Sequence, residues 1–188
     1  MDTSVGLVVL IVVLLPVVYV IAAYNRLVRL RATVKESWAD VDTELRRRHD
    51  LIPNLVETVK GYMTHEREIM DNVVRAREAA LTLSNQPAAL AQQENVLAQA
   101  LKSLLAIAEN YPDLKASQNF NELQQELANT EDRIQAARRF YNANVRENNI
   151  AVASFPSNVI ASMFSFGGAE FFEIEETAVR EPVTVSFG

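Results

Sequence analysis

Residues 46–62 read RRRHDLIPNLVETVKGY, and the path of the chain turns on whether a helix ends inside them. Pro53 disfavours helical geometry at Ile52 and removes one backbone donor. Asn54 is then placed to cap a new helix, with Glu57 three residues on to complete a capping box. Arg46, Arg47 and Arg48 fall in the last turn of the preceding helix, where cations suit the negative end of its dipole, and Asp50 is placed to pair with one of them. The stretch therefore predicts a corner between two helices, built by Arg48, Asp50, Pro53, Asn54 and Glu57. Full reversal at Pro53 is the expected geometry, with a kinked continuation as the alternative.

On either side of this corner, apolar residues recur every three or four positions. Leu27, Leu30, Val34, Trp38, Val41 and Leu45 mark one amphipathic helix ending near Asp50. Leu55, Val59, Tyr62, Ile69, Val73, Ala76 and Ala80 form a second stripe, closed by the turn signal Ser84-Asn85-Gln86-Pro87. Leu90, Glu94, Leu97, Leu101, Leu104 and Ala108 form a third, stopping at Asn110-Tyr111-Pro112. The fourth is the most regular: Phe120, Leu123, Leu127, Thr130, Ile134, Ala137, Tyr141, Asn144 and Asn148, with Asn119 and Glu122 as a capping-box start. No stretch before residue 155 alternates with period two. The fold class is therefore all-α, an antiparallel bundle of about four long helices over residues 24–154. Thr130, Asn144 and Asn148 lie in core-type register and need partners there, either to set the register of the bundle or to join subunits.

Ahead of the bundle, Val5–Ala23 is an uncharged apolar run of 19 residues. A helix of that length covers roughly 28 Å, enough to cross the hydrocarbon of a bilayer. Pro16 is tolerable in such a helix, and Tyr19 and Tyr24 suit its interfacial end. The lack of an early basic residue and the length of the run favour a retained anchor over a cleaved signal peptide. Arg26, Arg29, Arg31 and Lys35 follow the run while no Lys or Arg precedes it. The positive-inside rule then puts residues 1–4 outside and the bundle in the cytoplasm.

The remaining composition excludes more than it assigns. With 49% hydrophobic and 22% charged residues the chain is neither disordered nor wholly membrane-buried. The absence of cysteine rules out disulfides, zinc-thiolate sites and thiol catalysis. A net charge of −6 argues against nucleic acid as a partner. Neither His49 nor His65 has a glutamate three residues ahead, so no di-iron Glu-x-x-His pair exists. His65-Glu66 begins like a zinc-protease motif, but Ile69 stands where the second histidine belongs. Gly61 is isolated, so no phosphate loop is present, and the serines at 154, 157, 162 and 165 have no histidine near them in sequence. No catalytic, cofactor-binding or metal-binding residues are predicted, and an enzyme is not expected.

Residues 155–188 form a Phe-rich, acidic tail. Phe155-Pro156 stops the fourth helix, and Val183–Phe187, VTVSF, is the chain's one strand-like alternation. Phe155, Phe164, Phe166, Phe171, Phe172 and Phe187 are the candidate partner or oligomer contacts. Three readings compete for them: packing on the bundle's own end, a shallow membrane contact, or a subunit contact with VTVSF as an added edge strand. The glutamates of the tail favour protein over anionic lipid. A kinked continuation at Pro53 would carry this tail away from the membrane.

Four segments, YNRLVRLR at 24–31, RRRHDLIPNLVETVKGYMTHE at 46–66, ENYPDLKASQNFNELQQELANTEDRIQAARRFYN at 109–142 and FPSNVIASMF at 155–164, together resemble the LemA family of bacterial membrane proteins. The resemblance implies a single-pass protein of the bacterial inner membrane with a helical-bundle domain. It also implies a non-enzymatic role in the envelope alongside membrane partners, and it carries over no catalytic residue. The expected function is a membrane-anchored scaffold that self-associates and engages envelope or membrane-proteostasis partners. The alternative is a tethered sensor that binds an anion or metal through Arg46–Asp50 and His65–Glu66.

Overall fold

The computed structural model describes residues 3–83 and 86–173, with the side chains of residues 3–6, 8, 9 and 11 left out. Among the described residues six helices follow in order: α1 (Thr3–Lys60), α2 (Arg67–Leu81), α3 (Pro87–Ala108), α4 (Pro112–Lys115), α5 (Gln118–Ala153) and α6 (Ser157–Met163). The described residues contain no strand. Pro87 and Pro112 each open a helix, where the missing N–H costs nothing. The chain divides into two units, Met1–Arg47 with Asn129–Phe171, and Arg48–Ala128 with residues from Phe172 on.

In the first unit, α1 and α5 run side by side in opposite directions. Trp38 meets Tyr141 with ring centroids 5.1 Å apart. Ala23 and Leu27 share an apolar cluster with Ala151, Ile160 and Ala161, bringing in α6. Val41, Leu45 and Ile134 are buried along the stripes that the sequence marks, and Val145, outside those stripes, is buried as well. Tyr141 donates to the Glu170 carbonyl at 2.8 Å. Burial, and then the Glu170 charge, push its phenol up to about 12.

In the second unit, one core is shared by the end of α1 (Ile52, Leu55, Val59), α2 (Met70, Val73, Ala76), α3 (Leu97, Leu101, Leu104, Ala108), Leu114 of α4 and the start of α5 (Phe120, Leu127). The predicted corner at Pro53 is not there. α1 passes through Asp50, Pro53, Asn54 and Glu57 without a break and ends at Lys60. The reversal comes instead at Gly61–Glu66, where Met63 is fully buried under the turn. Asn54 and Glu57 are exposed mid-helix residues, and Asn54 caps nothing; its carbonyl accepts from the Thr58 hydroxyl at 2.8 Å. Asn119 likewise lies inside α5, which begins at Gln118.

Two magnitudes explain the continuation. A proline inside a helix costs about 3 kcal/mol. Ile52, Leu55 and Val59, all with no exposed surface, each return about 1.5–3 kcal/mol on burial, so one continuous buried face outweighs the proline. Part of the cost is also removed locally. Pro53 cannot donate to the carbonyl four residues back, that of His49, and the Arg77 Nε–H of α2 donates to this oxygen at 2.7 Å. Arg77→Ala is expected to cost about 1–3 kcal/mol by stranding this acceptor. Combined with Pro53→Ala, which restores a backbone donor, the same change is expected to cost clearly less. Denaturant unfolding of the four species in a double-mutant cycle checks this, and strict additivity would count against it.

Candidate functional site

The arginine-histidine stretch of α1 does not build a surface site; it sends two side chains into the second unit's interior. Residues 41, 45, 48, 52, 55 and 59 keep the three-four spacing of a core stripe, which places Arg48 at a core position. On α3 the stripe Leu90, Glu94, Leu97, Leu101 places a carboxylate at another. The two meet. Arg48 Nη2 donates to Glu94 Oε2, and the His49 Nε2–H donates to Glu94 Oε1 at 2.8 Å. Arg48 and Glu94 are fully buried and His49 nearly so. With Arg77 held on the His49 carbonyl, α1, α2 and α3 are tied at one polar node.

The electrostatics of the node favour the charged carboxylate. Burial is the largest influence on Glu94 and acts to raise its pKa. The His49 hydrogen bond and the Arg48 charge together outweigh burial and hold the carboxyl below its ordinary value. Removing one member of such a buried set leaves an uncompensated charge. The node is a structural lock, with both carboxylate oxygens already occupied.

The other residues of the stretch are spent elsewhere. Arg46 pairs with Asp42 at 2.7 Å, and Arg47 reaches Glu44 at 3.7 Å. Asp50 is exposed and does not pair with the arginines as expected. Glu66 accepts from the Tyr111 hydroxyl, and His65 is exposed. Among the described residues, no three His, Cys, Asp or Glu side chains converge as a metal ion would need.

The aromatic tail is divided. Phe164 and Phe166 meet Tyr24 of α1 edge-on, with centroids at 4.9 and 5.6 Å. Ser165 between them adopts a left-handed φ of 56°. Phe166 N–H bonds back to the Ala161 carbonyl and Ser165 N–H to that of Ser162, at 2.9 and 3.4 Å. This Schellman ending of α6 turns Phe166 onto Tyr24. Asn149 then clasps the returning chain: its Oδ1 accepts from Ala169 N–H at 2.8 Å and its Nδ2 donates to the Ala169 carbonyl at 2.9 Å. Gly168 passes so close that a Cβ there would lie 3.2 Å from Asn149 Oδ1. Asn148, expected to set bundle register, also reaches this strand of chain through the Gly167 carbonyl at 3.4 Å. Phe155 is exposed, Phe171 half-buried, and Phe172 fully buried as part of the second unit. Phe187 and the VTVSF segment lie outside the described residues. The continuous α1 does not carry α6 and Phe166 away from the apolar run, because they cluster with Ala23 and Leu27.

Sequence patterning flagged the arginines and missed Glu94 as their partner, although a carboxylate in a core stripe was visible. Glu94→Leu is expected to cost about 3–5 kcal/mol by stranding Arg48. Adding Arg48→Met is expected to recover most of that loss, as thermal or denaturant unfolding would show. The pH dependence has a definite sign. A depressed carboxyl stabilises the fold above its unfolded value, about 4.3, and that contribution disappears as pH falls through the folded value. The melting-temperature gap between the native protein and Glu94→Gln should be widest near neutrality and shrink under acid.

Comparison with known proteins accords with this architecture. The chain is 24% identical to Protein LemA of Metamycoplasma hominis over 155 residues, covering 81% of this chain and 69% of that protein. It is 33% identical to Magnetosome protein MamQ 2 of Paramagnetospirillum magneticum over 84 residues, 45% of this chain. Magnetosome protein MamQ of Magnetospirillum gryphiswaldense is 31% identical over a stretch of the same length. The matched stretch spans only 30% of either magnetosome protein. None of these names an enzyme. Among the described residues α1 alone is long and apolar enough to cross a membrane, which with these relatives fits a membrane-associated helical protein. The family model for LemA matches residues 37–187, beginning after the apolar run and the YNRLVRLR segment, and over that length the chain belongs to the LemA family.

Proposed function

We propose that this protein is a non-enzymatic, membrane-anchored helical scaffold that self-associates and engages envelope or membrane-proteostasis partners. The observation that carries the reading is the continuity of α1. One helix of 58 residues holds an apolar segment, exposed along residues 12–19, and a core-forming segment. A membrane-length segment followed directly by core-forming helix suits a tethered scaffold. Phe140 and Ile150, large apolar side chains exposed on α5, offer surface for a second copy. The sensor alternative loses support because Arg48 and His49 are committed to Glu94, Arg46 to Asp42 and Glu66 to Tyr111.

The full chain extracted in detergent, crosslinked and weighed by native mass spectrometry, is expected to run as a dimer or larger. Phe140→Ser with Ile150→Ser should shift it toward monomer. A strictly monomeric native protein at high concentration sinks the self-association. Arg26, Arg29, Arg31 and Lys35 support an N-terminus outside and the helical body in the cytoplasm of an inner membrane. Because the chain has no cysteine, a single Asp113→Cys on the exposed α4 should resist impermeant maleimide in intact cells; labelling without permeabilisation would reverse the orientation.

A further inference from the structure

The two longest stretches of the chain without Asp, Glu, Lys, Arg or His are residues 3–25 and residues 148–169. The first is the apolar start of α1. The second comprises the end of α5, the turn at Pro156, α6 and the segment that follows, and the fold brings the two together. Val20, Ala23 and Leu27 cluster with Ala151, Ile160, Ala161 and Phe166, and Tyr24 carries Phe164 and Phe166 on its ring. One face of α6 is thereby buried. The other presents Met163 at 69% exposure and Val159 at 47%, and Phe155, ahead of the helix, is 83% exposed. Val159 and Met163 are one helical turn apart on α6 and share a face, and Phe155 lies in the turn just before the helix.

A face of this kind in water is costly, and its position says what covers it. It belongs to a helix packed on the last turn of the apolar run, where Tyr19 and Ile21 of α1 are also exposed. The first charges met along α1 are Arg26 and Arg29, both exposed, and the first beyond the tail segment is Glu170. α6 has no basic residues of its own, but those of α1 begin two residues past Tyr24 and are placed to reach phosphates.

We infer that α6 is an interfacial foot: Phe155, Val159 and Met163 insert into the headgroup-acyl boundary of the bilayer that holds the start of α1. This rests on the anchored reading given above. The foot fixes the depth and rotation of α1 and closes the lipid-side end of the α1–α5 pair. It binds by apolar insertion, so its hold on lipid is insensitive to salt.

The test uses the full chain in phosphatidylcholine vesicles carrying lipids brominated either near the headgroup or at the acyl end. The chain's one tryptophan, Trp38, lies about 21 Å further along α1 than Tyr24, and its signal is subtracted as the reference. Phe155→Trp and Met163→Trp are expected to emit at shorter wavelength and to be quenched most by bromines near the headgroup. Leu14→Trp, inside the apolar run, should be quenched most by bromines at the acyl end. If Leu14→Trp is quenched while Phe155→Trp and Met163→Trp emit as in water, the foot is overturned and the anchor stands. If those two are blue-shifted but unquenched, a second copy covers the face, and the lipid proposal falls. If Leu14→Trp is itself unquenched, the anchored reading fails and the foot with it.

Discussion

A carboxylate with no access to water organises half of this molecule. Glu94 is held by Arg48 and His49, and the backbone of that same histidine is held by Arg77. Three helices are joined through atoms that have no alternative partner in an apolar interior. Apolar contacts along α1, α2 and α3 would tolerate sliding by a turn, since Leu, Val and Ala fill similar space. A buried ion set would not, because a shift of one turn strands each charge. The node therefore sets the register of the second unit, while Ile52, Leu55, Leu97 and Leu104 belong to the apolar core beside it.

The same node accounts for the course of α1. Pro53 takes a donor from the His49 carbonyl, and Arg77 replaces it from another helix, so the proline becomes a point of attachment instead of a break. The polar clasp in the first unit works on a smaller scale. Asn149 meets both backbone groups of Ala169, and Tyr141 meets the carbonyl of Glu170, so the chain after α6 is held along α5. Both arrangements use side chains to satisfy backbone groups that no helix serves.

The long continuous helix also frames the functional reading. Membership of the LemA family and the apolar start of α1 fit membrane association. The relatives' magnetosome names belong to proteins of which the matched stretch is less than a third, and they carry no activity over to this chain.

Much of the fold was legible in residue order. Helical class, the limits of α3, the membrane-length apolar run and the buried faces of α1, α3 and α5 follow from spacing and composition, because each depends on neighbours a few residues apart. Phe155, Phe164 and Phe166 stood out as unusual for the same reason. What residue order left undecided were the outcomes of competition between distant groups. Pro53, Asn54 and Glu57 carry every local mark of a helix boundary, yet the core behind Ile52 and the guanidinium of Arg77 override them. Arg48 and Glu94 look like interruptions in separate stripes until the fold sets them face to face. The sequence by itself determined which segments are helical and which faces are apolar; only the tertiary structure decided where α1 ends and what its charges hold, since those depend on partners 28 to 46 positions away.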